Sequence, residues 1–230
     1  MSLIIGRSSC LNIIRSALAY WEFDETSGDA ADSTGNGLTL IATGAPTSGA
    51  GIVGNCRVLN GTSQYFSIAS GGATSLNPAG SFTLRLRIKG SGSMSNKELM
   101  GKDQSGAGLG GYILETNGTS PQLGVSSNGS AHTNLTYSGL TMVSGTWYDI
   151  FAGWDKAAGK LWMSVDAAPI QTVAFTAGAF ACSSPFTVGV WGNLSTGKFP
   201  GSIDTAGIFG RKLSFREIRL LHQARSYPFR

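Results

Sequence analysis

Charge is scarce in this chain: 13 Asp and Glu and 17 Lys and Arg make up 13% of 230 residues, about half the usual share of ~25%. So thin a charge excludes acidic tails and dense basic stripes. A nucleic-acid binder shows basic runs interleaved with exposed aromatics, and none is present, so no nucleic-acid partner is expected. The net charge of +4 gathers toward the end, where seven Lys and Arg from Lys198 onward face only Asp204 and Glu217. A solvated basic end of this kind aids solubility or meets an acidic neighbour. Cysteine is also sparse. Cys10, Cys56 and Cys182 cannot form a full disulfide framework, and no pair has Cys-x-x-Cys spacing; buried free thiols in a reducing compartment are expected. The two histidines, His132 and His222, have no nearby Cys or acid in triad or zinc spacing, and each reads as a surface or packing residue.

Long hydrophobic runs are missing as well. Leu3, Ile4, Ile5, Leu11, Ile13 and Ile14 are broken up by Arg7, Asn12 and Arg15. That leaves no continuous apolar core of a cleaved signal peptide, and nothing approaches the ~20 apolar residues of a membrane span. The expectation is cytoplasmic synthesis without a signal peptide.

Glycine, by contrast, is abundant: 33 residues, roughly twice the average usage of ~7%, with no three-residue period. It reads as many turns between short strands. Five Asn-x-Ser/Thr sequons start at Asn60, Asn117, Asn128, Asn134 and Asn193; three are Asn-Gly-Thr/Ser, ordinary tight-turn chemistry, and the turn reading is preferred. Alternation is clearest in 81–89, where Phe82, Leu84, Leu86 and Ile88 share one face and Thr83, Arg85, Arg87 and Lys89 the other. Segments 147–155 and 160–166 are joined by four residues that suit a hairpin. Further strands are expected at 18–23, 38–42, 56–60, 64–69, 98–103, 110–116, 121–126, 170–175, 185–191 and 202–210. About a dozen strands so closely spaced predict an antiparallel sandwich. Ser214-Phe-Arg-Glu217 is a capping box that opens one short C-terminal helix with an apolar stripe of Ile218, Leu221 and Ala224. Residues 18–230 read as one domain. Residues 1–17 read as an N-terminal arm that packs on its own domain or on a partner, because a free apolar arm would be sticky.

The order of motifs resembles the laminin-G-like, concanavalin A-like jelly-roll superfamily. The resemblance rests on Tyr20-Trp-Glu-Phe-Asp-Glu-Thr-Ser-Gly28, then Asp32-Ser-Thr-Gly-Asn-Gly37, Leu59 to Ile68, Ser81-Phe-Thr83, the strands at Trp147 and Lys160, Phe199-Pro-Gly-Ser-Ile-Asp204 and Leu213 to Ile218. It spans about 18–224. This chain departs from the pattern at Arg87, where similar domains often carry Trp, and at Asp204-Thr-Ala. The resemblance implies an all-β, two-sheet jelly roll. It also implies structural calcium at Asp32, Asn36 and Asp204, hard oxygen ligands that suit that ion; the alternative is a loop whose side chains accept turn hydrogen bonds.

Glycosidases of related fold need two carboxylates flanking the bond. Glu22-x-Asp24 supplies part of that spacing, but Ser27 stands where a third acid belongs, so the chain is read as non-catalytic. Arg85, Arg87, Phe151 and Trp162 fall opposite the core positions of their strands and would form an aromatic–cationic platform for glycans or a protein surface; alternatively they cover the outer sheet or meet a neighbouring subunit. Trp21, Trp147 and Trp154 read as core. The functional expectation is a structural or surface subunit with a lectin-like jelly roll, such as a virion decoration or fibre component. It would assemble through residues 1–17 and adhere to glycans. The alternatives are a stand-alone lectin module or a glycoside hydrolase.

Overall fold

Alternation along each strand sets which face goes inward. In the computed structural model, which describes residues 2–104 and 109–224, the strands are β1 (Ala19–Trp21), β2 (Ile41–Thr43), β3 (Thr47–Ala50), β4 (Asn55–Asn60), β5 (Tyr65–Ile68), β6 (Phe82–Gly90), β7 (Glu98–Gln104) and β8 (Leu109–Asn117). They continue with β9 (Ser120–Ser126), β10 (His132–Thr136), β11 (Trp147–Asp155), β12 (Lys160–Val165), β13 (Gln171–Ala174), β14 (Phe186–Val188) and β15 (Pro200–Phe209). Helix α1 (Ser2–Arg15) precedes them and α2 (Phe215–Gln223) follows. Nearly every expected strand is present. Strands β3 and β10 were not expected; their residues are mostly polar and half or fully exposed, so burial gives them little periodic signature.

All pairings are antiparallel. One sheet runs β13-β12-β11-β6-β15-β4-β3, with β1 also on β15; the other runs β10-β9-β8-β7-β14-β5-β2. Phe82, Leu84, Leu86 and Ile88 of β6 point between the sheets and meet Tyr112 and Leu114 of β8 and Phe186 and Val188 of β14 in the main core. Trp21 and Trp154 join them as expected, whereas Trp147 is only half-buried and carries the Lys89 ammonium 4.9 Å from its ring centroid.

A second core lies outside the eight-stranded sheet. Cys10, Ile13 and Ile14 of α1 and Ala17 pack with Ile218 and Leu221 of α2 over Tyr20, Phe151, Trp162 and Phe209. Each Ile, Leu or Phe side chain among them, when fully buried, contributes roughly 1.5–3 kcal/mol. The expected arm is thus a helix on the chain's own sheet. Helix α2 begins as expected: Ser214 Oγ accepts from the Glu217 amide and the Glu217 carboxylate accepts from the Ser214 amide. Asn60, Asn128 and Asn193 cap turns through their Oδ1 atoms, whereas Asn134 lies within β10. The three cysteines are free and buried.

Candidate functional site

The outer face of the eight-stranded sheet brings Arg85, Arg87, Phe151 and Trp162 together, and it does not leave them open. Arg85 is 2% exposed and Arg87 4%, while Phe151 and Trp162 are fully buried. The expected platform is corrected: α1 and α2 lie over it. Desolvation of two guanidinium groups there requires partners, and Asp149 supplies them. Arg85 Nε and Nη2 donate to its two carboxylate oxygens at 3.2 and 3.1 Å, and Arg87 Nη2 donates to Oδ2. Arg85 also donates to the Leu221 carbonyl at 2.9 Å, which ties the cluster to α2, and its guanidinium stacks 5.3 Å from the Phe151 centroid. Burial alone pushes the Asp149 carboxyl up, but Arg85, His222 and Arg87 beside it hold it well below the usual carboxylate range. The residues expected to grip a ligand instead fasten the helices to the sheet.

The residues of the implied calcium site are also engaged by the chain. Asp32 Oδ1 accepts from the Tyr20 and Thr34 amides, and Oδ2 from the Leu38 amide at 3.2 Å. Asn36 Nδ2 donates to the Leu18 carbonyl at 3.0 Å. Asp204 Oδ1 accepts from the Ile52 and Val53 amides, and its Oδ2 lies 3.7 Å from Arg87. Asp32 accepts N–H donors at both oxygens and Asp204 at Oδ1, with its other oxygen buried facing Arg87, a set that does not fit a cation that needs six to eight oxygens. Among the described residues no group of three or more His, Cys, Asp or Glu could hold a metal ion. The geometry matches the turn hydrogen-bond alternative. Asp24, the acid of the partial glycosidase spacing, likewise accepts from the Asn55 amide at 2.7 Å.

The other sheet offers a different site. On β8, Tyr112 and Leu114 enter the core, so Ile113 and Glu115 face outward. Glu115 pairs across the ladder with Glu98 of β7. Toward the far end of β7, Asp103 Oδ1 accepts from the Gly111 amide at 3.2 Å and lies 2.8 Å from His132 Nε2 on β10. Asp103, Gln104, Glu115, His132, Trp191 and Asn193 line a cavity of about 220 Å³. Burial pushes the Glu115 carboxyl up, opposed by His132 and reinforced by Asp103.

The loop that closes this cavity, between β14 and β15, carries Trp191, 37% exposed. Backbone bonds fold it into a compact turn: Leu194 N to Trp191 O at 2.7 Å and Trp191 N to Thr196 O at 3.1 Å. Two glycines set its seat. A Cβ on Gly192 would collide with the Asp103 carbonyl, so the loop lies directly on β7. A Cβ on Gly197, whose φ of +64° is left-handed, would meet the indole at 2.7 Å, so Gly197 backs the ring. Below, Glu98 donates its amide to Gly197 O at 2.9 Å, and its carboxyl takes one bond from Thr187 Oγ1. The carboxyl's other oxygen is buried without a hydrogen-bond partner. Sequence reading missed this site. Three of its segments, on β7, β8 and β10, are close in the chain and the fourth is the distant loop before β15; Trp191, expected to end a strand at 185–191, lies instead in that loop, and the signal available was a Trp beside Gly and an Asx turn. His132, expected as a surface or packing residue, pairs with Asp103.

The sandwich topology and the placement of these residues bear on kinship. The family model of the concanavalin A-like lectin/glucanases superfamily matches residues 60–219. The chain belongs to that superfamily. Among solved structures, this superfamily member is similar to domain 4 of a GH43 extracellular arabinanase from Geobacillus stearothermophilus, in complex with arabinotriose. The TM-score is 0.63 at 19% identity, covering 90% of this chain and 98% of that domain. It is also similar to the binding domain of botulinum neurotoxin DC in complex with SialylT, with a TM-score of 0.72 at 12% identity, covering 93% of this chain and 53% of that one. The same toxin domain in complex with rat synaptotagmin II gives a TM-score of 0.65 at 12% identity and the same 53% share. The superfamily member thus spans about half the length of the toxin domains. At such identities the likeness is one of fold. No curated protein matches the chain.

Proposed function

We propose that this lectin-like jelly roll is a non-catalytic glycan-binding module whose site is the cavity beside Trp191. One observation carries the reading: an exposed indole, held by its loop, stands at the rim of a cavity lined by carboxylate, amide and imidazole groups. Aromatic faces take the apolar side of a sugar ring, and convergent polar groups fix its hydroxyls. The arabinotriose bound to the similar arabinanase domain supports a saccharide as the ligand class.

Two features support binding without catalysis. Hydrolysis needs a pair of carboxyl groups facing the bond. Of the cavity's two carboxylates, Asp103 is held at Oδ1 by His132 and the Gly111 amide, which leaves Glu115 without a free partner, and Glu98 is sealed from solvent. A module of this kind would serve adhesion, including as a subunit on a virion or other particle. Support for that setting is compositional, in the low charge and free thiols; the arm, expected to pack on its own domain or on a partner, places Cys10, Ile13, Ile14 and Ala17 on the chain's own sheet.

Titration of the chain with a panel of oligosaccharides tests the proposal. Binding by at least one is expected, and Trp191→Ala should weaken it at least about tenfold, the loss of a central aromatic anchor, with the melting temperature little changed. Saccharide binding that survives Trp191→Ala at full strength would place the site elsewhere.

A further inference from the structure

The charges around the pocket bear on which saccharides it admits, an inference that rests on the reading just given. We infer that the pocket admits uncharged sugar units and turns away those bearing a carboxylate or sulfate. Among its described lining residues are two carboxylates, Asp103 and Glu115, and no Lys or Arg. The one basic group, His132, already lies 2.8 Å from Asp103 Oδ1. Sites that take anions present an arginine fork or a helix N-terminus. The buried arginines Arg85 and Arg87 lie on the other sheet, bonded to Asp149.

An anionic sugar in this cavity would give up its water to sit near two carboxylates, in a partly closed space where salt screens poorly. A neutral sugar gains from the same groups. Its hydroxyls donate charge-assisted hydrogen bonds to Asp103 and Glu115, while its apolar face lies on Trp191. Size adds a constraint. About 220 Å³ is below the ~300–1,000 Å³ of drug-sized pockets, so the cavity takes one or two sugar units and recognises a chain end or branch.

Calorimetric titration near neutral pH with matched pairs tests the inference: lactose against sialyllactose, and arabinotriose against trigalacturonate. At least one neutral member should bind, at least about tenfold tighter than its anionic partner, a gap of roughly 1.4 kcal/mol. Trp191→Ala should abolish that binding, and Glu115→Gln should narrow the gap several-fold. Anionic members binding as tightly as neutral ones, with Trp191→Ala still abolishing binding, overturns the selectivity and leaves the site standing. A gap that Glu115→Gln does not move overturns the charge argument. If no member binds, or binding ignores Trp191→Ala, the glycan site itself fails and the selectivity with it.

Discussion

Glu98 shows how one side chain ties the site to stability. It is fully buried, and burial, with Asp103 and Glu115 nearby, pushes its carboxyl well above the ordinary 4.5. The folded chain therefore keeps a proton that the unfolded chain releases above about that pH. Stability from this group is full below the unfolded value and declines as pH rises toward the folded one. Asp204, raised to about 6 by burial against the pull of Arg87 and of the Val53 and Ile52 amides, acts in the same direction over a narrower window. Glu98→Gln keeps the Oε1 acceptor for Thr187 and removes the ionisation. At about pH 5 the variant should melt close to the parent. Its advantage should then grow as pH rises toward and past neutrality, by at most about 1.4 kcal/mol per pH unit within the window. Thermal unfolding across that range reads the difference directly; an advantage that stays flat or shrinks as pH rises would refute a buried neutral carboxyl.

Among the elements, strands were legible in the sequence because alternation is a two-residue signal that burial enforces. The split of β6 into Phe82, Leu84, Leu86 and Ile88 inside and Arg85 and Arg87 outside holds in the structure. What alternation cannot report is what lies on top of an outer face, and so Arg85, Arg87, Phe151 and Trp162 read as a platform when they are a second core. The helix that covers them did leave a trace: Cys10, Ile13, Ile14 and Ala17 repeat at the i, i+3, i+4, i+7 spacing of one helical face. Of the polar breaks that argue against a signal peptide, Asn12 and Arg15 are exposed, off that buried face. Removing residues 1–17 leaves β1 and its pairing with β15 intact, because the ladder starts at Ala19. It uncovers Phe151 and Trp162, however. The shortened chain should melt at lower temperature, bind a hydrophobic dye and self-associate in sedimentation, since contiguous apolar surface of this kind seeks cover. A monomer with an unchanged melting temperature would show that α1 contributes nothing to the second core.

At the scale of the molecule, the two ends of the chain meet on β15. That strand lies between β6 and β4 and also receives β1, while Cys10 Sγ of α1 donates to the Leu220 carbonyl of α2 at 3.5 Å. The loop bearing Trp191 depends on the same closure. It hangs between β14 and β15, with Gly189 N bonded to Leu99 O and Phe199 N to Gly189 O. The candidate site is therefore completed by contacts distant in sequence, and this is the physical reason it was illegible in local patterns. A fold dominated by such pairings closes its loops before they are rewarded and forms slowly, in milliseconds to seconds. It also lacks a stable subset once the central strand is gone. A chain ending at Phe199 would leave β6 unpaired on one side, β1 without its partner strand and β4 paired with β3 alone, opening the core at Leu84, Leu86 and Ile88. It should show no cooperative unfolding transition, a flat near-ultraviolet circular dichroism spectrum and collapsed amide dispersion by nuclear magnetic resonance. A cooperative transition in that truncated chain would mean that the seven-stranded sheet carries the fold by itself, and that the cavity beside Trp191 does not require the ends of the chain to meet.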